Sequence, residues 1–195
     1  MSVLVFDTET TGLPRKELAY NHPEQARIVQ LACLVLDNEF KEVASFYSLV
    51  RPSGWQDIHP KAQEAHGITV EMCNMFGVPM EHLEHMFNAY YHKCDRVVAH
   101  NVAFDKQLID IERAIILGDT DYDWNKSFCT MQAMTPVCKL PKKYQNGNGV
   151  FKWPNLQEAY TFCFNEPFVG AHDALVDVRA TARIYKWLAV NKLTN

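Results

Sequence analysis

The stretch Val3-Leu4-Val5-Phe6-Asp7-Thr8-Glu9-Thr10-Thr11-Gly12 decides how the rest of the chain is read. Val3 to Phe6 is β-branched and aromatic, the composition of a strand buried on both faces. Strand side chains alternate, so Asp7 and Glu9 share one face with Val3 and Val5, about 7 Å apart. Two carboxylates at the end of a buried strand repel each other and lose hydration unless a cation sits between them. A divalent metal would relieve both costs. Thr10, Thr11 and Gly12 are turn formers, so a solvated turn carrying two acids is the competing reading. The remaining segments decide between the two.

A chain of 195 residues, 48% of them hydrophobic, suits one domain over residues 1–195 with a sizeable core. Six cysteines with no C-x-x-C spacing read as reduced thiols in a cytosolic protein. No stretch approaches the ~20 apolar residues of a membrane helix, and no signal-like segment precedes the first strand, so no membrane partner is expected. The formal charge of -4 argues against a broad basic face gripping long nucleic acid. It leaves room for an enzyme that holds only a strand end, where bound metal ions meet the phosphate.

Further along, Arg15 to Arg27 reads as a polar loop, and Ile28–Leu36 and Val43–Val50 read as strands joined in a hairpin. With the first strand they form an antiparallel meander. A short helix ends near His66-Gly67, with Gly67 as its C′ residue, and a second begins near Pro79. Leu83, Met86, Phe87, Tyr90 and Tyr91 form its apolar stripe. His82 and His85 lie off that stripe, with His92 and Cys94 after the helix, and read as solvated groups, not a zinc site. Arg96–Ala99 is a short strand running into His100-Asn101-Val102-Ala103-Phe104-Asp105. The helix that follows has a stripe at Phe104, Leu108, Ile111 and Ile115, which sets Asp105 one step round in the first turn. An acid there complements the helix dipole and by itself needs no metal. Ser127 to Met131 reads as a last strand, followed by a broken helix to Pro141 and another helix over Asn155–Phe162.

The segment from His172 to Asp177 settles the question. Ala180, Thr181, Ile184 and Leu188 stand three, four, seven and eleven residues after Asp177, so Asp177 points inward on a helix. A carboxylate on that face costs several kcal/mol unless paired, and no Lys or Arg lies three or four residues to either side. A metal shared with Asp7 and Glu9 would offset the cost. His172 is five residues earlier, about 140° round a helix, so it belongs on the preceding loop; standing alone it reads as an ordinary loop histidine.

The segments D-x-E-T-T-G-L, H-N-x-x-F-D and H-D-A-x-x-D, in this order, resemble the DnaQ-like 3′-to-5′ exonucleases of the DEDDh group, spanning Asp7 to Asp177. His66-Gly67-Ile68-Thr69 is similar to a segment of their proofreading branch. The resemblance implies an α/β, ribonuclease H-like fold: a mixed five-stranded sheet, three strands antiparallel and two parallel to the first, flanked by helices. It also implies that Asp7, Glu9 and Asp177 hold one divalent ion and Asp7, with Asp105, a second, both Mg²⁺ or Mn²⁺. His172 would act as general base toward the attacking water. Thr10 and Leu13 would contact the terminal nucleotide, with Asn101 and Phe104 beside them.

The implied activity is release of nucleoside 5′-monophosphates from a DNA 3′ end, single-stranded DNA being favoured. An RNA-trimming enzyme of the same group and a non-catalytic nucleic-acid or polymerase-binding module are the alternatives. The loop from Lys139 to Trp153 interleaves Lys142 and Lys143 with Tyr144, Phe151 and Trp153, a pattern able to track a phosphate backbone and stack bases. A solvated loop whose aromatics pack on the core accounts for the same residues. A polymerase or replication partner is conceivable, although the chain carries no extended tethering tail after the last helix.

Overall fold

Alternation along the first strand sets the layers. In the computed structural model, which describes residues 1–120, 122–141 and 151–194, β1 runs over Val3–Thr10. Leu4 and Phe6 join one cluster, whereas Val3 and Val5 join another on the opposite face. The second strand, β2 (Ile28–Leu36), and the third, β3 (Glu42–Leu49), complete an antiparallel meander. β4 (Arg96–Ala99) lies parallel to β1 on its other side, and β5 (Ser127–Cys129) lies parallel to β4. The order is β3-β2-β1-β4-β5, a mixed five-stranded sheet with three strands antiparallel and two parallel to the first, as the resemblance implied.

The helices cover both faces. On the Leu4/Phe6 side, Phe87 and Tyr91 of α3 (Met80–Lys93) and Leu108 and Ile109 of α4 (Val102–Ile116) fill the core. On the Val3/Val5 side, Val178, Ala182 and Tyr185 of α7 (Ala174–Val190) pack against Ala32 and Leu34. Ile184 and Leu188 of the same helix meet Met134 and Tyr160, from α5 (Thr130–Cys138) and α6 (Leu156–Phe164). Since a buried Leu or Ile truncated to Ala costs roughly 2–5 kcal/mol, this double contact fixes α7, and with it Asp177, firmly on the sheet. The helix before Gly67 is α1 (Pro60–His66), and Gly67 has the left-handed φ of 70° that favours glycine at a helix end.

The first strand runs past Phe6, as the alternation of Asp7 and Glu9 required, its ladder with β2 persisting through Glu9 opposite Gln30. Two readings need correction. An extra helix, α2 (Val70–Phe76), follows Thr69, whose side chain accepts the Met72 N–H; seven residues are too few to show a period. On α3 the stripe is narrower than expected: Leu83, Phe87 and Tyr91 are buried, whereas Met86 is 41% exposed. All six cysteines are free thiols. Among the described residues no helix is long and apolar enough to cross a membrane.

Candidate active site

The site forms where β4 stops short of β1. β4 pairs with β1 only as far as Val5, so beyond that point one edge of β1 has no neighbouring strand. Helix α4 starts there, and Asp105 in its first turn takes the place of the strand: its Oδ1 accepts the Thr8 backbone N–H (3.1 Å) and the Thr8 hydroxyl (2.8 Å). Asp105 is 3% exposed. From the other face, the first turn of α7 presents Asp177, 8% exposed. Asp7 and Glu9 lie between them at the end of β1, on the face that α7 covers.

These carboxylates raise one another's proton affinity. Burial first, then Asp105, Asp177, Glu9 and Asp173, push Asp7 well above the ordinary carboxylate range. Burial, then Asp177, Asp105 and Asp173, push Glu9 up to about 8. Burial takes Asp105 to about 7 against the opposing Thr8 bonds. It takes Asp177 to about 6 despite the nearby His172. For Asp7 and Glu9, among the described residues, every influence acts upward. Carboxylates raised by burial and by one another's charge are the kind of group that clusters at functional sites.

His172 stands on the loop before α7, as its spacing required, with a left-handed φ of 69°. Its backbone N–H donates to Asp177 Oδ2 at 3.1 Å. The other oxygen, Asp177 Oδ1, is buried without a hydrogen-bond partner. Ligand atoms of Glu9, His172 and Asp177 all lie within 4.8 Å of one another. An orphaned buried carboxylate oxygen beside further raised carboxylates fits a hard divalent cation, which takes oxygen ligands and would remove the repulsion.

The other expected residues surround this centre unevenly. Thr10 is buried, and its hydroxyl donates to the Gly12 carbonyl at 2.8 Å. Leu13 is 80% exposed on the turn that follows. Asn101 adopts a left-handed φ of 74° just before α4, and Phe104 is half-buried against the core. Lys142, Lys143 and Tyr144 lie outside the described residues. Of the rest of that loop, Lys152 pairs with Glu158 at 2.5 Å, and Trp153 is 60% exposed. His82, His85 and His92 join no metal-ligand cluster among the described residues.

The supporting roles of several residues escaped the sequence reading. His66 Nδ1 accepts the Ile68 N–H at 3.0 Å, so Nε2 carries the ring proton and donates to the Thr10 carbonyl at 3.1 Å, clamping the turn after Glu9. Gln30, opposite Glu9 in the ladder, accepts the Ala174 N–H and ties α7 to the sheet. Asp173 caps α7, accepting from Leu175 and Val176. The Asp-before-helix pattern could have revealed the cap. The other contacts join residues far apart in the chain and leave no local pattern.

A family model, RNase_T, described as Exonuclease, matches residues 4–185. No curated protein matches the sequence significantly. Among solved structures, the chain is similar to E. coli exonuclease I bound to a dT13 oligonucleotide (TM-score 0.74, 20% identity, covering 98% of this chain and 41% of that one). The zinc-bound form of the E. coli exonuclease I–ssDNA complex gives a TM-score of 0.76 at 21% identity, with 99% and 42% covered. A product-bound exonuclease I gives 0.73 at 20%, with 99% and 45% covered. The chain thus spans less than half the length of these proteins, and the likeness at such identity is one of fold. The matched region runs from the first strand into the last helix, and the chain belongs to the RNase_T exonuclease family.

Proposed function

We propose that this chain is a metal-dependent 3′-to-5′ exonuclease that releases nucleoside 5′-monophosphates from the 3′ end of DNA. The observation that carries the reading is the convergence of Asp7, Glu9, Asp105 and Asp177 from one strand and two helices, with Asp177 Oδ1 left without a partner. Asp7, Glu9 and Asp177 would hold one divalent ion and Asp7 with Asp105 a second, and the all-oxygen set suits Mg²⁺ or Mn²⁺. Bound there, the ions would stabilise the charge on the attacking and leaving oxygens of the phosphodiester.

The chain's own groups supply the rest. His172 is exposed, so its imidazole can reach a water arriving from solvent and take its proton. The N–H bond to Asp177 and the left-handed backbone fix where that ring stands. Thr10, its hydroxyl proton already given to Gly12, offers a lone pair to the terminal 3′-hydroxyl. Leu13 offers an apolar surface to the terminal base, with Asn101 and Phe104 across the site. Lys142 and Lys143 would meet the backbone further along the strand.

Single-stranded DNA is favoured over RNA because the similar exonuclease I structures were solved with single-stranded DNA. Matched single-stranded, duplex and mismatched DNA and RNA oligomers, digested with Mg²⁺ or Mn²⁺, test the assignment. Faster single-turnover cleavage of single-stranded DNA supports it. A preference for RNA would move the chain to the trimming members of the group, and no cleavage of any substrate would make it a binding module.

A further inference from the structure

Helix α4 carries a second buried acid that the chemistry does not use. Glu112 is fully buried and stands seven residues after Asp105, about 20° short of two helical turns, so both acids project toward the strands. Asp105 accepts the Thr8 N–H of β1, and Glu112 Oε1 accepts the Ile28 N–H of β2 at 2.9 Å. Arg27 completes the arrangement. Its Nε and one terminal nitrogen donate to the two Glu112 oxygens at 3.0 and 2.7 Å, and the other donates to the Ser53 carbonyl at 2.7 Å.

The place of this contact is its significance. The β1–β2 ladder runs in register until Glu9 faces Gln30, then slips so that Thr10 faces Ile28, leaving Val29 as the extra residue of a bulge. Bulges bend a strand and re-aim its side chains. Glu112 receives the N–H of the residue just beyond the bulge. Past it, Arg27 pairs with Thr11 in both directions, the Thr11 N–H donating to the Arg27 carbonyl (2.8 Å) and the Arg27 N–H to the Thr11 hydroxyl (2.9 Å). The slip therefore sits beside Glu9 and is held from outside the sheet.

We propose that Glu112, with Arg27, is a positioning residue of the exonuclease site: by holding the bulge it aims Glu9, and by docking α4 at two points it sets Asp105. The proposal rests on the reading of Glu9 and Asp105 as metal ligands. Outer partners that orient ligands typically govern metal affinity by 10- to 100-fold.

Removing the Glu112 charge alone would strand the buried Arg27 and confuse unfolding with misplacement. The informative pair is Arg27→Met with Glu112→Gln against Arg27→Met with Glu112→Leu. Both lose the ion pair, and each leaves one buried donor unpaired, the Gln amide in the first and the Ile28 N–H in the second. Only the first retains an acceptor at the bulge. At matched thermal midpoints, calorimetric titration with Mn²⁺ should give the Gln variant an affinity within about threefold of wild type and the Leu variant one weaker by about 10- to 100-fold. The Mn²⁺ concentration for half-maximal rate should shift in parallel. If the Leu variant does not fold, Glu112→Asp, which keeps the charge but withdraws it from Ile28, carries the same expectation. Equal Mn²⁺ affinity in the folded variants would overturn the role of Glu112. Wild-type protein that binds no Mn²⁺ would instead overturn the metal reading beneath it.

Discussion

Asp7, Glu9 and Asp177 act on one another, so their removal should not be additive. Asp7→Ala, Glu9→Ala and Asp177→Ala should each abolish hydrolysis nearly as completely as the triple variant, because groups that act as a unit fail together. Rates that fall by independent, multiplying factors would contradict a shared site. Asp7→Ala also removes the carboxylate that burial and the repulsion of Asp105, Asp177 and Glu9 act on, so in chelator its melting temperature should equal or exceed that of wild type. A clear drop would show that Asp7 holds the fold by contacts of another kind. His172→Ala should cut the rate by about 10² to 10⁴ while Mn²⁺ affinity stays nearly intact. Loss of Mn²⁺ binding would make the imidazole, which lies within 4.8 Å of Glu9 and Asp177 ligand atoms, a ligand and not the base.

Among the elements, α7 was the most legible. Its apolar positions after Asp177 announce a buried face, and the structure buries Ala180, Thr181, Ile184 and Leu188. Asp7 and Glu9 were legible because a short apolar run turned acidic with strand spacing. Asp105 was ambiguous, since an acid in a first helical turn has a sufficient local explanation; only the stop of β4 at Val5, which leaves the Thr8 N–H without a strand partner, shows what it accepts. The strand order and the bulge at Val29 depend on pairings across the sheet, and the Thr10, Ala174 and Ile28 or Arg27 partners of His66, Gln30 and Glu112 stand from 56 to 144 positions away, which no periodicity records. Asp173 belongs to the same scale: losing its two cap bonds in Asp173→Ala should cost about 1 kcal/mol, visible as a lower denaturation midpoint. An unchanged midpoint would mean that packing alone holds the start of α7.

For the molecule as a whole, the acid cluster couples folding to pH and to metal. Carboxylates whose folded pKa lies above the ordinary 3.8–4.5 bind protons more tightly folded than unfolded. That stabilisation is fully present below about pH 4 and is lost as pH rises through about 6 for Asp177, about 7 for Asp105 and about 8 for Glu9. In chelator the melting temperature should therefore decline from about pH 5 to about pH 9, and excess Mg²⁺ should remove most of the decline. A metal-free protein equally stable across that range would contradict the repulsion on which the site is built. The most direct test of the central claim is digestion of a 5′-labelled single-stranded DNA with Mg²⁺. The account predicts a ladder shortening one nucleotide at a time from the 3′ end, releasing 5′-monophosphates, and abolished both by chelator and by Asp177→Asn. Internal cuts, shortening from the 5′ end, or cleavage that persists in chelator would contradict it.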